Sequence, residues 1–263
     1  MAEEPDRRAL RTEPVVLLLI AAFVLFQLWM YFGSHAVRVE TIVALGLFPA
    51  RFFEAGLQGL PGGGLHGAIS LITYSLLHGG WAHCLINAVW MLAFGTPVAQ
   101  RLGWKRFVFF YALCVVLAGL VQVAATSRAG WLIPIIGASG GVSAMMGAAI
   151  RFAFSPAPEA PPQPLAFPAP AEYMRRRRLL PIREALTHRP VVIFIIVWVG
   201  INLIFGLLAP AGMATPDGRP IGIAWQAHLG GFLAGLLLIG LIDRMPLSPS
   251  GGPGNVDYGR WQN

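Results

Sequence analysis

The sequence predicts an all-α polytopic membrane protein with six transmembrane helices. Three observations carry this. Hydrophobic residues make up 56% of the 263 residues and charged residues only 12%, a balance too apolar for a soluble domain of this size. The apolar residues gather into runs close to the ~20 residues that cross a bilayer. The basic residues, nearly all arginine, collect beside those runs, so the net charge of +7 reads as a topology signal rather than a nucleic-acid surface. Cys84 and Cys114 lie inside apolar runs and read as small buried hydrophobes, not as a disulfide. No Cys/His spacing fits a zinc site, and no metal or cofactor is expected.

Taken in order, residues 1–13 form a cytoplasmic tail carrying Arg7, Arg8 and Arg11. The first span is Pro14–Phe32, too long for a cleaved signal and read as a retained anchor. Gly33–His78 is too broken for one span and too apolar for a free linker, so it is placed partly in the membrane interface. The next spans are Trp81–Val98, Phe107–Ala125 and Gly137–Phe154. The Pro-rich, Arg-rich stretch 155–189 is expected to be a disordered cytoplasmic loop, with the block Arg175–Arg178 inside it. Val191–Leu208 and Ala224–Ile242 complete the six. The membrane domain is residues 14–244, and 245–263 is a loose tail.

With the N-terminus inside, 15 of the 19 Lys and Arg fall on cytoplasmic segments, and only Arg38, Arg51, Arg128 and Arg219 fall outside. Both termini are therefore expected in the cytoplasm. The arginine block reads first as a topology signal and second as a contact for anionic lipid.

In that topology the second, fourth and sixth spans all run inward, and each carries polar residues in its first turns. The second has His83 and Asn87, the fourth Ser139, and the sixth His228. Polar groups in a span are costly and face a cavity or one another. One alone is more often a packing serine or an interhelical hydrogen bond than a catalyst; four at matched depth point to one site. Ser139 stands between glycines at a helix start, where unpaired backbone N–H groups favour negative charge. It is the candidate nucleophile, and His228 the candidate base. His83 and Asn87, spaced i, i+4 on one face, are candidate oxyanion donors. No acidic residue lies near these positions, so a Ser–His dyad is expected rather than a triad. Gly137 and Gly140 around the serine, with Gly231 and Gly235 on the sixth span, are expected to let the fourth and sixth spans approach closely. Asn202 in the fifth span reads as interhelical glue, and His78 is open.

These residues resemble the rhomboid intramembrane serine proteases. Gly137-Ala138-Ser139-Gly140 is similar to the family's G-x-S-G motif, and Ala227-His228-Leu229-Gly230-Gly231 with Gly235 to its A-H-x-G-G-x-x-x-G motif. His83 through Asn87 is similar to its H-x-x-x-N motif. The resemblance covers roughly residues 71–242. It implies a six-helix rhomboid fold with the site in a water-filled hollow open to the outside; separately, the expected location is a bacterial inner (plasma) membrane. It also implies an acyl-enzyme mechanism and transmembrane segments of other proteins as substrates. Two departures stand out. The first outer loop has Arg51 without the family's Trp-Arg pair, and Ser143 stands where many members place an aromatic residue under the histidine, so another group must hold His228. Two rival readings are an inactive rhomboid-like protein that binds membrane clients, and a transporter using His83 and His228 as a proton or ion relay. The sequence names no substrate and no oligomeric state.

Overall fold

A computed structural model describes residues 13–53, 63–155, 174–175, 177–208 and 224–244. The expected tail at 245–263, most of the tail at 1–13, and loop residues 156–173 lie outside the described residues. Among those described the chain is helical, with a single antiparallel bridge between Leu47 and Ile135.

Helix α1 (Pro14–Phe32) starts on a proline, whose missing N–H is harmless in a first turn. Ser34 caps α2 (His35–Leu45) by accepting from the Val37 N–H at 3.3 Å. A short turn α3 (Ala50–Phe53) and α4 (Gly63–Thr73) follow. The next span runs Trp81–Leu102 as α5 (Trp81–Trp90), a π-helical turn Met91–Gly95, and α6 (Thr96–Leu102). Pro97 explains the π-turn: it has no N–H for the carbonyl of Ala93, and its ring would collide with it, so the preceding turn opens. Gly103, with φ 73°, reverses the chain into α7 (Trp104–Ala125). Then come α8 (Ser139–Ala153), a turn α9 (Ile182–Ala185), α10 (Arg189–Leu208) and α11 (Trp225–Arg244).

Five of these helices are long and apolar enough to cross a membrane. The sixth expected span is α8, which has 15 residues. At 1.5 Å per residue it is about 22 Å long, short of a ~30 Å hydrocarbon core. It also begins at Ser139 rather than at Gly137, because Gly137 holds φ 128° and stands outside the helix. Every residue from Gly140 to Phe152 is buried, so α8 is surrounded by protein.

The contact of α8 with α11 is backbone on backbone. A Cβ added at Gly231 would overlap the Gly140 carbonyl oxygen, one at Gly235 the Ala144 carbonyl, and one at Gly147 the Phe232 carbonyl. Lipid supplies no hydrophobic drive between helices, so close approach through small residues is the main attraction available.

The segment leading into α8 is pinned from outside. Leu47 and Ile135 exchange both backbone hydrogen bonds, at 3.1 and 2.9 Å, and the Ala50 N–H donates to the Trp131 carbonyl at 3.1 Å. Phe53 stacks on Trp131 with ring centroids 4.7 Å apart. Arg51 ties its own loop together by donating to the carbonyls of Gly46 and Val43. Partial burial draws its guanidinium below the usual arginine range.

At the opposite end the arginines serve the fold. Arg151 is 5% exposed and donates to the carbonyls of Leu180 and Leu236, joining α8, the following loop and α11. Arg101 pairs with Asp243 at 2.9 Å. Arg175 donates to the Gln100 carbonyl and Arg177 to that of Phe152, both through Nε. Glu13, at the start of α1, has its carboxyl raised by partial burial and pulled back by Arg175, which places the two at the same end of the bundle. The expected disordered loop at 155–189 is described only at Ser155, 174–175 and 177–189; there Leu180 is fully buried, α9 is formed, and the arginines find carbonyl acceptors at the helix ends.

Candidate active site

Ser139 is the first residue of α8, reached through an extended approach that ends at Gly137. The Gly137 N–H donates to the Tyr74 carbonyl at 3.0 Å, fixing the turn from below. Two constraints require glycine there. Its φ of 128° suits no L side chain, and a Cβ would stand 2.8 Å from His83 Cε1 and 2.9 Å from His83 Nε2. The His83 ring therefore lies directly against the residue two before Ser139. Gly140 is equally tight: a Cβ would meet Ala118 Cβ at 2.8 Å and the Tyr74 hydroxyl at 3.3 Å.

His228 lies in the first turn of α11. Its Nε2 is 2.7 Å from Ser139 Oγ, and its Nδ1 is 2.8 Å from Asn202 Oδ1 on α10. Three helices thus meet at one imidazole. The start of α11 is itself held by α7, where Gln122 Oε1 accepts from the Ala227 N–H at 3.0 Å.

The structure brings the expected residues together unevenly. Ser139 and His228 are in direct contact. His83 is beside Gly137, with Nδ1 accepting from the Gly79 N–H at 3.4 Å, which leaves the ring hydrogen on Nε2 toward the serine loop. Asn87 is 3% exposed and shares the His83 face, but its Nδ2 donates to the His83 carbonyl at 2.9 Å. Gly231 and Gly235 lie in the α8–α11 contact. His78 is 2% exposed, packed between Phe23 and His83 at ring centroid distances of 5.3 and 5.1 Å.

Sequence reasoning read Asn202 as interhelical glue, and its bond to His228 is an interhelical contact; what the sequence did not reveal was the partner. A signal was present: an amide in an otherwise apolar span, four residues after Trp198, in a chain whose histidine lacked a neighbour. Ser143 does not fill that role. Its hydroxyl donates to the Ser139 carbonyl at 2.7 Å, turned back along its own helix. The aromatic ring near His228 comes from α10 instead, with the Trp198 and His228 centroids 6.5 Å apart at an interplanar angle of 32°.

Comparison with curated proteins finds no match. A family model described as "Rhomboid domain" matches residues 66–244, which holds α5 to α11 and every residue of the site. That match covers well over half of the chain and agrees with the all-α polytopic architecture and the motif order, so the chain belongs to the rhomboid family.

Proposed function

We propose that this rhomboid-family membrane protein is an intramembrane serine endopeptidase in which Ser139 is the nucleophile and His228 the general base. The observation that carries this is the 2.7 Å separation of His228 Nε2 and Ser139 Oγ, a hydrogen-bonded nucleophile–base pair inside an apolar bundle. As Oγ attacks a peptide carbonyl carbon, its proton passes to Nε2. The carbonyl oxygen becomes an oxyanion beside the start of α8, where the first-turn N–H groups have no intrahelical acceptors. His83 Nε2–H and the second Asn87 amide N–H are the side-chain donors assigned to it. Collapse of this intermediate breaks the C–N bond, and His228 returns the proton to the leaving amine. A water, deprotonated by the same imidazole, then hydrolyses the acyl-enzyme.

The substrates are transmembrane segments of other proteins, since the site is built from spans within a bilayer. Both termini are placed on the cytoplasmic side and the site toward the external face. The charge split supports this, as does the end shared by Arg101, Arg151, Arg175, Arg177 and Asp243. The test is cleavage of a single-span substrate by purified protein, with covalent labelling by a fluorophosphonate. Ser139→Ala and His228→Ala should each abolish cleavage while the protein stays folded in detergent. Turnover by well-folded Ser139→Ala refutes the serine mechanism. A wild type that binds the span without cutting it supports the client-binding reading, and ion flux dependent on His83 and His228 the relay reading.

A further inference from the structure

We propose that Asn202, on α10, is the positioning residue that sets the tautomer of His228 and so makes its Nε2 able to accept the Ser139 proton. This rests on the serine–histidine reading above, and follows from donors and acceptors taken one at a time. The Trp198 carbonyl can only accept, so the Asn202 atom 2.8 Å from it is the NH2 group. The other amide atom, facing His228 Nδ1 at 2.8 Å, is then the carbonyl oxygen, which also only accepts. Nδ1 must therefore carry the ring hydrogen in the neutral imidazole, and Nε2, 2.7 Å from Ser139 Oγ, must hold the lone pair. The opposite tautomer would aim a hydrogen at the serine and leave an oxygen facing a bare nitrogen. Asn202 is 4% exposed, so water does not readily replace it.

No other group takes this part. Among the described residues of α8, α10 and α11 the acidic residue is Asp243, fifteen positions along α11 from His228 and about 22 Å away at helical rise. Ser143 is committed to the Ser139 carbonyl. His83 lies on the serine side, its ring against Gly137. A neutral amide aligns the ring and stabilises the imidazolium through one hydrogen bond. It supplies no negative charge, unlike the carboxylate of a Ser-His-Asp triad.

The placement gives α10 a second task. Only 11% of its span is buried, against 50% for α7 and for α11, and Ile193, Ile196, Val197, Ile201 and Ile204 face outward. The serine is held by buried α8, whereas the orientation of its base depends on the span with the least protein around it.

The experiment uses the full chain in detergent with 15N-labelled histidine. The His228 signals are identified by their loss in His228→Gln, and 15N shifts separate a protonated ring nitrogen from a bare one. At a pH where His228 is neutral, the wild type should show protonated Nδ1 and bare Nε2. Asn202→Leu, which keeps the branched shape but removes the acceptor, should lose that preference and lower kcat by about 10–100-fold with KM within twofold, part of the 10²–10⁴ that general base catalysis contributes. Asn202→Asp keeps the acceptor and should restore kcat to within about tenfold of wild type. Its carboxylate favours the imidazolium, so the acid limb of kcat/KM should move to higher pH. Asn202→Leu with wild-type kcat, or with Nδ1 still protonated, overturns the assignment. A wild type that shows the tautomer but cleaves nothing would sink the protease reading and leave the Asn202 assignment standing.

Discussion

Gly231 offers the sharpest test of how α8 and α11 hold the site together. A Cβ built on it overlaps the Gly140 carbonyl oxygen and lies 2.9 Å from the carbonyl carbon and 3.3 Å from Cα. All three are backbone atoms of the residue following Ser139, so no rotamer change relieves the clash. Restoring ordinary van der Waals separation requires the two helices to part by on the order of 1 Å. Overpacking of this kind destabilises by about 1–3 kcal/mol. The same displacement stretches the 2.7 Å Ser139–His228 contact beyond hydrogen-bond range, and a shift of ~1 Å at a reacting pair costs about 10²-fold in rate. We therefore expect Gly231→Ala to lower both the melting temperature and kcat, and Gly231→Val to lower them further. The assays are thermal unfolding in detergent and single-span substrate cleavage at a temperature where each variant is still folded. Gly200→Ala is the control: a Cβ there meets nothing within 4 Å, and removing a helical glycine stabilises by up to ~1 kcal/mol. If Gly231→Ala matches the wild type in both assays, α8 and α11 are not in backbone contact at this level, and the geometric basis of the serine–histidine pair is wrong.

Gly137→Ala should abolish cleavage, because it puts a side chain both at φ 128° and against the His83 ring; full activity would show that the ring is not wedged there. His83→Ala and Asn87→Ala should each slow the chemical step by roughly 10²–10³, the range for a single oxyanion donor. Wild-type turnover in both would make these residues helix contacts only. Arg151→Met should lower stability by about 2 kcal/mol, measured by melting temperature, because it strips donors from two buried carbonyls. A reporter inserted in residues 156–173 should read as cytoplasmic and one at Ser127 as external; the reverse result inverts the topology.

Most of the fold was legible because membrane helices announce themselves by composition. α1 begins and ends at the residues read from the apolar run, since Pro14 and Gly33 mark both boundaries. The misjudged boundaries had local causes. Gly137 belongs to an apolar, small-residue stretch that looks like helix, and only the His83 ring and the turn at φ 128° show that it lies outside. The segment after residue 155 looked loose because prolines and arginines dominate it. Its described part, 174–175 and 177–188, is tied to distant groups that no local pattern reveals: the carbonyls of Gln100 and Phe152, which accept from Arg175 and Arg177, and Arg151, which donates to the Leu180 carbonyl.

The site divides along the same line. Ser139, His228 and the glycines between them lie in short contiguous patterns whose spacing encodes the contact, so the pair could be read from the chain. Asn202 lies 26 positions before His228 and belongs to no such pattern; its meaning appears only when α10 packs against α11. The gap was nonetheless visible as a missing part. A histidine asked to take a proton at Nε2 needs an acceptor for its Nδ1 hydrogen, and Ser143 in place of an aromatic left its ring unsupported. Trp198 and Asn202, one turn apart on a single face of α10, supply the ring neighbour and the acceptor together. The side-chain partners of the His228 ring thereby come from α10, whose span is only 11% buried, rather than from the buried α8.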